Sequence, residues 1–392
     1  MEILHLAAFT GNSGDCLSHA AFQSTFREKV SGSAVFNEVN LRDFYKNNRI
    51  RSFDANFSKE INAKDAFILG GDLMFDLRWT YSATGTTLDF SRDFIDSIRV
   101  PVILNGVGYA EAPGVDIEEG NMASISKKFK TFVDYIAQKP NWLLTLRNDG
   151  SYERIRQRFG EAFASRFFVV PDNGFHFKTE KIMPNLFEDE KRTIGICFAN
   201  DSFTQSAEYE ARRDILNCDV VAFIKRLIQE DCRIVLIPHM PKDLEVIHTI
   251  YQQLGEKAFR YNVIIAPYNN LDKLSTATLL QYYKSCHYIL ATRFHSSIIP
   301  LICKIPVTGL AAESLICPER ISALYQSVGL QEFCLNIPMD ANNVQELLYQ
   351  KYLFTMKNKE YYDNIVDGVM KQMSNEREVY FAKIKEFLIN QK

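Results

Sequence analysis

One stretch in the second half of the chain combines a strand pattern with a helix start. Residues 288–300 read Tyr288-Ile289-Leu290-Ala291-Thr292-Arg293-Phe294-His295-Ser296-Ser297-Ile298-Ile299-Pro300. The apolar run 288–291 has the length of a buried strand, and the residues from Ser296 onward are expected to begin a helix. A strand that leads directly into a helix is the repeating unit of α/β folds.

The same unit recurs along the whole chain. Strands are predicted at 3–9, 66–69, 102–105, 143–146 and 167–170, and in a second series at 194–198, 233–237, 263–266, 288–291 and 307–310. Segments of helical period lie between them, including 17–29, 124–137, 220–229, 244–254 and 276–285. This alternation predicts two Rossmann-like domains whose parallel sheets are covered by helices on both faces.

A polar segment between His176 and Arg192, with Pro184 inside it, is the expected linker. A chain of 392 residues also exceeds the size at which a single core usually stops growing, about 250–300 residues. The predicted domains are 1–185 and 186–392, the second ending in a helical segment after Pro338. Because ligands bind beyond the carboxyl ends of parallel strands, we expect the chemistry in a cleft between the domains.

The composition and charge of the chain argue against several classes of function. The formal net charge is −3, and no block of lysine and arginine occurs, which argues against a nucleic-acid partner. Neither a secretory leader nor an apolar run of about 18 residues is evident, so a cytoplasmic protein that does not cross a membrane is expected. The eight cysteines contain no C-x-x-C pair, which predicts reduced thiols and no zinc site.

The residues after the strand 288–291 are the strongest candidates for chemistry. Arg293 offers a permanently charged fork for a carboxylate or phosphate, and His295 can exchange a proton near neutral pH. Ser296 and Ser297 would add the free N–H groups of a helix start. The structural alternative is a buried ion pair and a core histidine. His239, after the strand 233–237, is either a second proton carrier or a cap.

Glycine-rich turns follow several predicted strands of the first half. They are Gly11-Asn12-Ser13-Gly14-Asp15, Gly70-Gly71-Asp72, Gly106-Val107-Gly108 and Arg147-Asn148-Asp149-Gly150-Ser151. Turns without bulky side chains let a ligand approach the backbone, although tight strand-to-helix turns, with Asp15 as a helix cap, explain each one separately. Arg147 can bind an anion or pair with Asp149 or Asp172.

Taken in order, these motifs resemble the polysaccharide pyruvyltransferase family over roughly residues 3–310, together with Pro171-Asp172 and with Arg293-Phe294-His295-Ser296 followed by Ile305-Pro306-Val307. The resemblance implies a fold like that of GT-B glycosyltransferases. It also implies transfer of pyruvate from phosphoenolpyruvate to a sugar of an exopolysaccharide or capsule, or of its lipid-linked precursor, without cofactor or metal. Arg293 and His295 fall on the Arg-x-His motif of the family, which would clamp the donor and act on it.

The expected roles divide between the two halves of the chain. We expect His295 and Arg293 to be catalytic and the donor to contact Arg293, Phe294, His295, Ser296, Ser297 and His239. We expect the acceptor saccharide to contact Asn12, Ser13, Gly14, Asp15, Gly71, Asp72 and Arg147. A lipid-linked acceptor would allow at most peripheral membrane association.

Two alternatives remain from the sequence. One is a nucleotide-sugar glycosyltransferase on the same plan, with Arg293 on the diphosphate and Glu313 or Glu319 on the ribose. The other is a protein that kept the fold as a scaffold and lost activity.

Overall fold

A computed structural model describes residues 1–48, 50–111, 119–179, 186–187, 189–201, 206–268 and 274–391. By its internal contacts the chain divides into two compact units. Unit 1 comprises residues 1–10, 18–176 and 373–392, and unit 2 comprises residues 11–17 and 177–372. Within the predicted linker between His176 and Arg192, residues 180–185 and 188 lie outside the described residues, and these include Pro184 and the predicted boundary at residue 185.

This division differs from the predicted one at two segments. Residues 11–17 group with unit 2 although they follow the first strand, and residues 373–392 group with unit 1 although they end the chain. The second difference has a packing cause, because Phe381, Ile384 and Leu388 are buried in one apolar cluster with Ile3 and Phe22. The predicted helical segment at the end of the chain is therefore present, but its last part packs on unit 1.

Unit 1 is built on a parallel sheet. Its strands are β1 (Glu2–Ala7), β2 (Val35–Asn40), β3 (Ala66–Leu69), β4 (Phe75–Asp76), β5 (Val102–Val107), β6 (Tyr109–Ala110), β7 (Trp142–Arg147) and β8 (Phe168–Val170). The main sheet has the order β2-β1-β3-β5-β7-β8, and β4 pairs with β6 in a small separate sheet. The chain steps from β1 to β2 on one side and then to β3 on the other, so the order reverses between β1 and β3.

The helices of unit 1 follow its strands, as the strand-helix alternation predicts. They are α1 (Ser13–Lys29), whose first residues belong to unit 2, α2 (Ala55–Asn62), α3 (Arg92–Ser97), α4 (Glu119–Ile136), α5 (Ser151–Phe159) and α6 (Glu161–Ala164). Short 3₁₀ turns span Leu41–Phe44 and Asn173–His176. Asp54 and Ser91 cap α2 and α3 by accepting hydrogen bonds from backbone N–H groups of the first turn.

Unit 2 has a second parallel sheet. Its strands are β9 (Thr193–Cys197), β10 (Arg233–Leu236), β11 (Val263–Ile265), β12 (Tyr288–Ala291), β13 (Val307–Ala312) and β14 (Cys334–Ile337). The order β11-β10-β9-β12-β13-β14 is the Rossmann order, in which the chain fills one side of the first strand and then returns to fill the other. The strand order reverses between β9 and β12.

The helices of unit 2 complete the alternation. They are α7 (Ala207–Gln229), α8 (Asp243–Leu254), α9 (Glu256–Tyr261), α10 (Leu274–Lys284), α11 (Phe294–Cys303), α12 (Pro318–Ser327), α13 (Val344–Lys357) and α14 (Lys359–Asn390), whose last part belongs to unit 1. A 3₁₀ turn spans Gln331–Phe333. No helix among the described residues is long and apolar enough to cross a membrane.

Burial explains why these sequences form central strands. Every residue of β3, β5, β9, β12 and β13 is buried, as expected for parallel strands covered on both faces. The edge strand β2 is largely solvent-accessible, and its polar sequence VFNEVN gives no apolar run to recognise. The predicted fold class, α/β with two Rossmann-like parallel sheets, is confirmed.

Candidate functional site

The point where the strand order reverses in unit 2 carries the Arg-x-His motif. Ala291, the last residue of β12, is paired with Cys197, the last residue of β9. Beyond them the Thr292 hydroxyl donates to the Cys197 carbonyl and accepts the Ala199 N–H, which ties the two strand ends together. Open parallel sheets bind their ligands at such a reversal. Arg293 follows as the first residue outside helix α11.

The imidazole of His295 lies beside the carboxyl group of Asp15 at this strand edge. The His295 Nδ1 atom lies 3.3 Å from the Asp15 Oδ1 atom, and their side chains are 6% and 15% exposed. A carboxylate beside one ring nitrogen fixes the orientation of the imidazole and stabilises its protonated form. Gly14 makes the approach possible, because a Cβ at that position would stand 2.4 Å from the His295 Cβ.

The first turn of helix α1 places Asp15 beside His295. The Asn12 side chain accepts the Gly14 N–H and the Asn12 carbonyl accepts the Cys16 N–H, so Asn12 occupies the cap position. The predicted cap role of Asp15 is therefore wrong. Ser13 donates its backbone N–H to the His239 carbonyl. Residues 12–15 thus lie in unit 2 with the predicted donor residues rather than with the first domain.

Arg293 is already bound by two carboxylates. Its guanidinium contacts both oxygens of Asp243, with Nε at 3.1 and 3.2 Å, and donates from Nη2 to Asp201 at 2.9 Å. Burial disfavours the charge, but the two aspartates outweigh it and raise the pKa of Arg293 above its ordinary value. Asp243 also accepts the backbone N–H groups of His239 and Met240. The geometry favours the structural alternative for Arg293, a buried ion pair.

The remaining predicted donor residues are largely enclosed. The Ser296 and Ser297 side chains are fully buried, and both hydroxyls donate to the Arg293 carbonyl, at 2.8 and 3.3 Å. The Ser296 hydroxyl also accepts the Arg293 N–H. Phe294 is 7% exposed, and its ring packs edge-on against the His295 ring at 5.3 Å between centroids. These groups hold the start of α11 in place.

His239 is a neutral core histidine in this structure. Its side chain is fully buried and shares a 2.7 Å hydrogen bond with the Tyr283 hydroxyl through Nε2. Burial lowers the pKa of His239 to about 3, so near pH 7 the ring is the neutral imidazole and not the imidazolium that a general acid requires. The predicted role as a second proton carrier is not supported by this geometry.

Unit 1 has its own histidine-carboxylate pair at the strand reversal between β1 and β3. The His19 Nε2 atom lies 3.3 Å from the Asp72 Oδ1 atom, and the other Asp72 oxygen accepts the Ala8 N–H at 2.7 Å. Burial opposes ionisation of Asp72, but His19 and the Ala8 N–H outweigh it and lower its pKa to about 2. Gly71, with φ +93°, gives His19 room, because a Cβ there would stand 2.9 Å from the imidazole.

Arg147 is buried in a polar network of unit 1. It is 2% exposed, donates from Nε to Asp149 at 2.8 Å and from Nη1 to the Gly71 carbonyl at 3.2 Å, and lies 3.5 Å from Asp172. The predicted pairing of Arg147 with Asp149 or Asp172 is confirmed, and the structure shows contacts with both. A Cβ at Gly108 would stand 2.6 Å from the guanidinium, so this glycine accommodates the arginine. The network leaves Arg147 and Asp72 enclosed, which does not support direct contact with an acceptor.

Three residues of these clusters, His19, Asp201 and Asp243, are not among the candidates predicted from the sequence. His19 lies one helical turn after Asp15 in α1, a spacing that puts both on one helix face and was available as a signal. Asp243 begins α8, where a carboxylate is expected, but nothing local pairs it with Arg293. Asp201 has no distinctive local pattern. Among the described residues, no group of three histidine, cysteine or carboxylate side chains could hold a metal ion.

Solved structures support the fold. The chain is similar to the UDP-GlcNAc 2-epimerase of Neisseria meningitidis bound to UDP-GlcNAc, with TM-score 0.53 and 13% identity over 100% of both chains. It is also similar to a glycosyltransferase of Rickettsia africae, with TM-score 0.53 and 10% identity over 100% and 99% of the two chains. The S. aureus MnaA-UDP co-structure has TM-score 0.51 and 12% identity over 97% and 96%. These neighbours have GT-B-type folds, as the sequence predicts.

Sequence comparison identifies the family. A search of curated proteins gave no significant match. The model of the family described as polysaccharide pyruvyl transferase matches residues 12–314, a span that begins at the cap of α1 and includes Arg293 and His295. The chain therefore belongs to the polysaccharide pyruvyl transferase family and is a transferase.

Proposed function

We propose that the protein transfers pyruvate from phosphoenolpyruvate to two hydroxyls of a saccharide and forms a cyclic ketal. The single observation that carries this proposal is the His295–Asp15 pair at the strand reversal of unit 2. An imidazole oriented by a carboxylate is suited to deliver a proton during group transfer. Family membership supports the reaction class, since the match includes both residues of the pair.

In the first step, His295 protonates the methylene carbon of phosphoenolpyruvate. The C=C electron pair takes the proton, the methylene becomes a methyl group, and the adjacent carbon becomes an electrophile. Asp15, on Nδ1, stabilises the imidazolium before transfer, and the proton leaves from Nε2. General acid catalysis of this kind contributes about 10²–10⁴-fold in rate.

Two saccharide hydroxyls then complete the ketal. The first hydroxyl oxygen bonds to the electrophilic carbon and releases its proton. The C–O bond to phosphate breaks, phosphate leaves with the bonding electrons, and the second hydroxyl adds at the same carbon with loss of its proton. One proton is taken up by carbon and two are released, of which one returns to His295 and the other balances the phosphate.

Arg293 takes a positioning role in this scheme. With Asp243 and Asp201 on its guanidinium, Arg293 is tied to the start of α8 and to the segment after β9. The arginine therefore fixes the start of α11, two residues before the imidazole, instead of holding the donor directly. The acceptor would be a sugar of a surface polysaccharide or of its lipid-linked precursor.

Donor binding tests the proposal without knowledge of the acceptor sugar. Thermal unfolding of the purified protein is followed with increasing phosphoenolpyruvate and, separately, with UDP-GlcNAc. Saturable stabilisation by phosphoenolpyruvate is expected, because a ligand that binds only the folded state raises the unfolding temperature. Stabilisation by UDP-GlcNAc alone would favour a nucleotide-sugar glycosyltransferase, and stabilisation by neither would favour a scaffold.

A further inference from the structure

A cavity of about 290 Å³ lies in unit 1, between α3, α4 and the segment that precedes α3. All its lining residues fall between positions 83 and 135, and none stands at the carboxyl end of a strand of the six-stranded sheet. The cavity is therefore separate from the strand reversal of unit 1 that holds His19 and Asp72. Its volume is close to the lower end of the range for small-molecule pockets, about 300–1,000 Å³.

Three cations line this cavity, and none of the described residues that line it is acidic. Arg92 and Lys127 are exposed, and Lys128 is partly buried. This is a local excess of positive charge in a chain whose formal net charge is −3. A phosphate group carries a charge of about −1.5 to −2 near pH 7 and offers three acceptor oxygens, so it matches three grouped cations.

The contacts of these cations leave their charges available. The Lys128 Nζ atom donates to two backbone carbonyls, at 2.9 and 3.1 Å, which carry no charge. The guanidinium carbon of Arg92 lies 5.1 Å from the centroid of the Tyr135 ring, a contact that orients the group without neutralising it. Asp96, one turn after Arg92, does not line the cavity and is bound by Lys139 and the Tyr135 hydroxyl.

The inner wall of the cavity is apolar. Phe90, Ile95 and Phe132 line it, and all three are almost fully buried members of the core cluster of unit 1. The exposed cations thus lie at the outer side and the apolar side chains at the inner side. A ligand that fills the cavity gains most if an apolar part covers this wall while a charged end stays at the rim.

We propose that this cavity binds a phosphate monoester that carries an apolar chain, with the phosphate on the three cations and the chain on the apolar wall. Isoprenoid phosphates and phosphatidic acids share this chemistry. Inorganic phosphate lacks the chain and an alcohol lacks the charge, so each should bind more weakly. The inference goes beyond the proposed function and does not depend on it, because binding here involves neither His295 nor phosphoenolpyruvate.

Binding of hexyl phosphate to the purified protein tests the proposal. Isothermal titration calorimetry compares hexyl phosphate with inorganic phosphate and with 1-hexanol. We expect hexyl phosphate to bind at one site, at least about tenfold more tightly than either comparison compound. Each CH₂ group that leaves water strengthens binding about fourfold, and the contacts of the phosphate with the cations add to this.

Two variants locate the binding site. Replacing both exposed cations, by Arg92→Gln with Lys127→Gln, should weaken hexyl phosphate binding about tenfold or more. Thr131→Trp, at an exposed position of α4 that lines the cavity, should block binding by filling the space without removing a charge. The matched control is Lys59→Gln with Lys385→Gln, which removes two exposed positive charges of unit 1 outside the cavity and should keep the wild-type affinity and unfolding temperature.

The remaining outcomes decide the proposal and the source of the ligand. Geranyl phosphate and dihexanoylphosphatidic acid are titrated separately, and the tighter binder assigns the site to isoprenoid phosphates or to phospholipids. Wild type that does not bind hexyl phosphate, or folded cation variants that bind it as tightly as wild type, would overturn the proposal. Binding of 1-hexanol as tight as that of hexyl phosphate would also overturn it, because the cations would then play no part. None of these results alters the test of phosphoenolpyruvate binding.

Discussion

At the scale of single residues, the His295–Asp15 pair shows what local sequence contains and what it omits. His295 was recognisable because it follows an apolar strand and precedes a helix. Its partner Asp15 was not recognisable, because Asp15 lies near the other end of the chain. Only the fold brings the Asp15 Oδ1 atom within 3.3 Å of the His295 Nδ1 atom. The partners of Arg293 were not recognisable either, because Asp201 and Asp243 follow two other strands of the sheet.

Asp15→Asn should lower kcat about 10²-fold or more while changing the donor KM little. The amide keeps the shape of the side chain but removes the charge that stabilises the imidazolium and fixes the ring. Steady-state kinetics with phosphoenolpyruvate measure both parameters. The control is Asp214→Asn, an exposed aspartate of α7 in the same unit, which should behave as wild type. Wild-type kcat in Asp15→Asn would remove Asp15 from the mechanism.

At the scale of elements, two helix starts create the site. Helix α1 begins at Ser13 and α11 at Phe294, and Gly14 of α1 packs closely against His295 of α11. The glycine was visible in the sequence as part of a turn motif. The close packing of Gly14 against the imidazole was not visible, because a glycine needed for a turn and a glycine needed for packing look alike in sequence.

Gly14→Ala should reduce activity at least about tenfold, since its Cβ would stand 2.4 Å from the His295 Cβ and must displace that residue or α1. Activity and unfolding temperature are measured together. Gly368→Ala in α14 is the control, because a Cβ there meets nothing within 4 Å. It should stabilise the protein by about 0.5–1 kcal/mol without altering kcat. Full activity in Gly14→Ala would show that this contact does not position His295.

Helix α14 offers a test of the packing of unit 1. Phe381→Ala should lower the free energy of unfolding by about 3–5 kcal/mol, because the ring is 1% exposed in the cluster with Ile3 and Phe22. Val379→Ala on the same helix, at a position 58% exposed, should cost less than about 0.5 kcal/mol. Urea denaturation measures both. Equal losses would mean that this end of α14 does not pack on unit 1 in solution.

At the scale of the whole molecule, two of the buried histidines, His176 and His239, make stability depend on pH. Burial lowers the pKa of His176 in unit 1 and of His239 in unit 2 to about 3. In the unfolded chain each histidine takes up a proton below about pH 6.5. The unfolded state then binds more protons than the folded state, so stability falls as pH drops from about 6.5 toward about 3.

His176→Phe should make unfolding less sensitive to acid. At about pH 5 each buried neutral histidine costs about 2 kcal/mol relative to about pH 7.5, and phenylalanine removes that cost while keeping an aromatic ring near Phe381. Urea denaturation at both pH values measures the difference. His248→Gln, at an exposed position of α8, is the control and should leave the pH dependence unchanged. If the stability of His176→Phe fell as much between the two pH values as that of the wild type, the conclusion that His176 is neutral in the folded protein would be contradicted.

Much of the architecture was predictable because parallel strands are apolar throughout and end in recognisable turns. The ten predicted strands are confirmed within a few residues. Strand β2 was missed because its sequence is polar, and the short strands β4, β6 and β14 were not predicted. The assignment of residues 11–17 and 373–392 was not predictable, since it depends on which distant surface buries them. The predicted cleft between the domains stays a prediction.

Product formation by the His295→Asn variant is the most direct test of the proposed reaction. Phosphate release and ketal formation are followed by mass spectrometry in D₂O, with phosphoenolpyruvate and a panel of pyranoside acceptors. Wild type should form phosphate and ketal in equal amounts, with one deuteron in the new methyl group, and folded His295→Asn should form neither. Ketal formation by His295→Asn at the wild-type rate, or product without deuterium, would contradict protonation of the donor by His295.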